Sequence, residues 1–81
     1  MIYGLYSIRD SKVGFMSVTT DTNDYTARRN FENACSRSGS LFDSHPNDFD
    51  LYLVGHFDSD SGEIQPENPP KFICAAVSKG E

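Results

Sequence analysis

Only one stretch of this 81-residue chain repeats its apolar residues at helical spacing. Ala27, Phe31, Ala34 and Cys35 recur at i, i+4, i+7 and i+8, one face of an amphipathic helix. Almost everywhere else the period is two, or the chain turns. Residues 2–9 and 13–19 are rich in β-branched and aromatic side chains and flank the polar Asp10-Ser11-Lys12, which predicts a β-hairpin. Residues 51–57 alternate Leu51, Leu53, Gly55 and Phe57 against Tyr52, Val54 and His56, the clearest strand in the chain. Residues 58–62 read as a tight reversal, 63–65 as a short returning strand and 72–77 as a last strand. Pro66, Pro69 and Pro70 interrupt the pattern between those two. Cap formers crowd residues 19–24, with Asp21 or Thr22 placed to start the helix and Gly39 to end it.

The order is β-β-α-β-β, an α+β fold with an antiparallel four-stranded sheet (five with residues 63–65) and one helix on one face. A chain of this length builds one core, so residues 1–78 read as a single domain and 79–81 as a loose tail. The strands carry apolar residues on both faces. Ile2, Tyr6 and Ile8 oppose Tyr3 and Leu5; Leu51 and Leu53 oppose Tyr52 and Val54; Phe72 and Cys74 oppose Ile73 and Val77. One helix covers one face, so the pattern calls for a cover on the other. A second subunit is the simplest candidate, which makes a homodimer the expected assembly. Bases stacked on exposed Tyr and Phe are the other.

Charge narrows the choice. The net charge of −5 excludes a non-specific basic coat for nucleic acid. The balance is uneven, however: residues 1–40 sum to +1 and residues 41–81 to −6. No apolar run approaches the roughly 20 residues that span a membrane. The N-terminal residues lack the basic n-region of a signal peptide and read as a strand. Two cysteines, Cys35 and Cys74, are too few for a disulfide scaffold; both read as reduced, small hydrophobes, with a Cys35–Cys74 disulfide as the alternative.

Catalytic and metal chemistry find little support. Asp58, Asp60, Gly62 and Glu63 resemble the start of a calcium loop, but glycine stands fifth where that loop wants it sixth. His45 and His56 with Cys35 and Cys74 lack the close spacing of zinc ligands. No nucleophile elbow or phosphate-binding glycine loop occurs. No catalytic residue, metal or cofactor is therefore assigned. For nucleic acid, Arg9 and Lys12 at the first hairpin and Arg28, Arg29 and Arg37 on the helix could meet phosphates. Tyr3, Tyr6 and Tyr52 could offer stacking surfaces.

A more specific pattern lies in the centre of the chain. Leu41, His45-Pro46, Asp48-Phe49, Leu51-Tyr52, Gly55, Phe57-Asp58, Gly62 and Ile64 fall in one order and spacing. Upstream stand Tyr6-Ser7-Ile8-Arg9-Asp10 and Ala27-Arg28-Arg29-Asn30-Phe31. Together they resemble a small non-structural protein of the gokushoviruses, Microviridae with circular single-stranded DNA genomes. The resemblance implies a non-virion protein acting in the cytoplasm of the bacterial host. It also implies a DNA-binding or replication-associated role in the switch to genome synthesis for packaging. Within the motifs, Arg29 has the chemistry suited to phosphate, while His45-Pro46, Gly55 and Gly62 look structural: a bend, a close approach and a turn. Two functions follow as expectations. One is a replication accessory protein that engages single-stranded DNA or the viral or host replication proteins. The other is a protein-interaction module whose acidic second half docks a basic partner without touching DNA.

Overall fold

The computed structural model describes residues 1–36 and 45–76. Strand β1 (Ile2–Asp10) turns into β2 (Gly14–Asp21), and helix α1 (Asp24–Cys35) follows. A 3-10 turn, Pro46–Asp48, then leads into β3 (Phe49–Asp58) and β4 (Ile64–Ala75). The four strands form one antiparallel sheet in the order β2-β1-β3-β4. The expected α+β architecture is the observed one.

Pairing decides which side chains meet. Tyr6 lies opposite Leu53, Ile8 opposite Leu51 and Asp10 opposite Phe49. Period two then sends Tyr6, Ile8, Phe49, Leu51 and Leu53 to one face. There α1 lays down Ala27, Phe31 and Cys35, and Ala76 completes the buried cluster. Ile73 and Cys74 pack against its edge. Cys35 is buried and Cys74 half-buried, with no disulfide between them, and burial pushes the Cys74 thiol above its usual value. The motif glycines are explained by backbone. A Cβ on Gly55 would stand 2.7 Å from the Gln65 carbonyl oxygen on β4, and Gly62 takes a φ of +80° in the β3–β4 turn.

Three expectations change. The helix cap is Asn23, not Asp21 or Thr22: its side chain accepts from the Thr26 N–H at 2.8 Å. Asp21 stays in β2, opposite Gly4. The helix ends at Cys35 with Ser36 as its cap; Gly39, like Arg37 and the residue 79–81 tail, lies outside the described residues. Residues 63–65 and 72–77 are not separate strands, because β4 continues through all three prolines. It is an edge strand and needs no outward N–H donors. Its residues 67–70 also bulge opposite the single residue Val54. A second bulge at Ile73 sets Phe72 opposite Tyr52 but Cys74 opposite Leu51. Phe72 and Cys74 therefore sit on opposite faces, where simple alternation had put them on the same one.

Candidate nucleic-acid interface

The face away from α1 carries a row of aromatic rings. Phe15 on β2 meets Tyr52 on β3 at 5.5 Å between centroids, and Tyr52 meets Phe72 on β4 at 5.8 Å. Both contacts are edge-to-face, with interplanar angles of 77° and 80°, the favourable geometry for aromatic quadrupoles. Phe15 and Tyr52 belong to strands separated by β1 and meet across it on a diagonal, since Phe15 lies opposite Arg9 and Tyr52 opposite Ser7. Ser7 is small and adds little bulk to that face. It is 3% exposed, and its hydroxyl donates to the Met16 carbonyl at 2.9 Å, so burial leaves no polar atom unsatisfied. The outer rings stay open: Phe15 is 47% and Phe72 54% exposed. Val18, Leu5 and Tyr3 extend the same face by register and period.

The charged side chains of this face are few. Arg9 pairs in register with Phe15 on one side and Asp50 on the other. Lys12 stands exposed in the β1–β2 turn at the same end. Asp10 accepts from the Lys12 backbone N–H, and Asp48 accepts from the Ser11 hydroxyl, so acids flank that turn. Among the described residues, neither Arg9 nor Lys12 forms a side-chain ion pair. The far end of the sheet is acidic. Asp58, Asp60 and Glu63 occupy the β3–β4 hairpin, where the N-terminal ammonium lies 3.0 Å from Asp60 and 3.9 Å from Asp58. The Asp60 backbone N–H holds the Asp58 carboxyl below its usual range.

The sequence-derived set of DNA contacts is divided by the fold. Arg9, Lys12, Tyr3 and Tyr52 share the open face or its rim. Arg28 and Arg29 ride on α1, on the opposite layer. Arg28 pairs with Glu32 at 3.1 Å, and the Arg29 guanidinium carbon lies 5.9 Å from the centroid of the Tyr25 ring. Tyr6 is withdrawn from stacking altogether. It is 1% exposed, and its hydroxyl donates to Asp24 at 2.6 Å inside the helix-side layer. Arg37 lies outside the described residues. Two rings were not anticipated, Phe15 and Phe72. Phe15 could have been found from its place in a strand whose opposite face must meet the helix; Phe72 was hidden by the bulge at Ile73.

The remaining features offer less. Between α1 and β2 lies a groove of about 320 Å³, lined by Tyr6, Ile8, Thr19, Ala27 and Phe31 among others. Asn30 donates across to Asp21 at 3.0 Å and ties the helix to the end of β2. Among the described residues, no group of three His, Cys, Asp or Glu side chains is arranged to hold a metal ion. No described helix is long and apolar enough to cross a membrane.

Residues 3–79 match the model of a protein family described as Phage ORF5 protein. No curated protein and no solved structure matches the chain.

Proposed function

The chain belongs to the Phage ORF5 protein family, and from that premise we propose that it is a non-structural protein of phage single-stranded DNA replication. It binds single-stranded DNA on the helix-free face of its sheet. The observation that carries this reading is the Phe15–Tyr52–Phe72 row, open at both ends and bordered by Arg9 and Lys12. Every base has a π-face, so aromatic rings spaced along a sheet bind single strands with little sequence preference. The gokushovirus-like motifs support the same role, with action in the host cytoplasm during the change to genome synthesis.

The face has two cations, so stacking carries most of the affinity. Fluorescence anisotropy with labelled single-stranded DNA tests this. For about two phosphate contacts, binding should weaken only about 7-fold between 50 and 200 mM salt. Tyr52→Ala should weaken it by about 5- to 160-fold, one lost base stack, while Arg29→Ala leaves it nearly unchanged. Flat anisotropy at low salt with micromolar protein would overturn the proposal.

A second reading rests on the acidic β3–β4 hairpin. Asp58, Asp60 and Glu63 stand together there, the two aspartates close to the N-terminal ammonium, and would suit a basic surface on a viral or host replication protein. A partner that survives nuclease treatment and is lost on Asp60→Asn would favour it over direct DNA contact.

A further inference from the structure

The two edges of the sheet differ. β4 carries Pro66, Pro69 and Pro70, which have no N–H to donate, and bulges over residues 67–70. Such an edge does not extend a ladder. β2, the other edge, runs through Gly14–Asp21 with no proline, lysine or arginine. Its one charge, Asp21, stands at its end and accepts from Asn30. Its interior is exposed, with Val18 at 57%. An edge without charges or proline is a template for a further strand.

We infer that β2 pairs antiparallel with β2 of a second copy, closing a two-fold dimer with one eight-stranded sheet. Several observations select a second copy as the occupant. A two-fold antiparallel pairing sets residues of one face opposite residues of the same face. Val18 and Thr20, on the open face through their pairing with Ser7 and Leu5, therefore meet the same apolar and hydroxyl surface in the second copy. No charged side chain lies between Gly14 and Thr20, so self-pairing brings no like charges together at the centre. The blocked β4 edge stops growth at two chains rather than a fibre. The extra residue at Met16–Ser17, opposite Ile8 alone, bends β2. It confines the regular ladder to Val18–Thr20 and its neighbours, so the association is weak and concentration-dependent. The aromatic rows of the two copies then lie side by side on one continuous face. The open face itself stays free, unlike in a face-to-face dimer.

Light scattering on the full chain, without nucleic acid, tests the pairing independently of any DNA reading. Across a concentration series the mass should rise from 9.0 kDa toward twice that value. Val18→Lys should hold it at one chain with an unchanged circular dichroism spectrum, since Val18 supports no core contact. Val18→Cys should cross-link into a covalent dimer under mild oxidation, whereas Phe72→Cys on the other edge should not; this arm stands even if the lysine variant folds poorly. A mass of one chain at every concentration, or a dimer that persists in Val18→Lys, overturns the inference.

Discussion

Tyr6 shows how one residue can be read correctly as apolar and wrongly as available. Its ring fills the core while its hydroxyl reaches Asp24, whose other oxygen accepts from the Lys71 ammonium at 3.1 Å. The Tyr6 hydrogen bond, helped by Lys71, holds the Asp24 carboxyl below its usual range against the opposing effect of burial. Burial, then Asp24, pushes the Tyr6 phenol well above its ordinary value. A depressed carboxyl contributes stability above its unfolded pKa and loses it as pH falls through the folded one. A raised phenol contributes below its unfolded pKa and loses that contribution as pH climbs past it. Tyr6→Phe keeps the ring and removes the bond to a partly exposed carboxylate. It should cost about 1 kcal/mol at pH 7 in urea denaturation, and the gap to the wild type should narrow below the carboxylate range. Gly55 is the opposite case, a residue whose role was legible: a glycine amid alternating apolar positions signalled the close approach that the Gln65 carbonyl makes.

At the scale of elements, apolar period placed β1, β2, α1 and β3 to within a few residues. The ends and the last strand were not legible. Several neighbouring residues can cap a helix, and tertiary structure chose among them: Asp21 is held in β2 opposite Gly4, and the helix begins at Asp24, which leaves Asn23 in the cap position. Asn23→Ala should destabilise the protein by about 1 kcal/mol in thermal or urea melts, whereas Thr22→Ala should have little effect. Prolines look like strand breakers in a linear reading, yet β4 runs through them. Whether a strand lies at an edge is fixed by which strands pair, and that is not written locally.

For the whole molecule, strand order sets the pattern of protection. β1 and β3 are central and bonded on both sides, while β2 and β4 are the edges of the sheet among the described residues. Hydrogen exchange followed by mass spectrometry should find the amides of Tyr6, Ile8, Leu51 and Leu53 slowest, with those of β4 near Pro69 and Pro70 exchanging far sooner. Equal protection across all four strands would contradict the strand order. The same order places β1 beneath the Phe15–Tyr52 contact, where the small, buried Ser7 lies opposite Tyr52.

The sequence by itself determined that one helix must cover one face of an antiparallel sheet and that apolar side chains would remain on the other, because period two and period 3.6 are local properties of the chain. It also carried the match of residues 3–79 to the phage family. Only tertiary structure decided which side chains share that open face. Bulges at Val54, at Met16–Ser17 and at Ile73 shift register between strands distant in sequence, and each shift changes which residues face the helix. Those shifts brought Phe15 and Phe72 onto one face with Tyr52, while α1, packed on the other face, covered Tyr6 and parted Arg28 and Arg29 from Arg9 and Lys12.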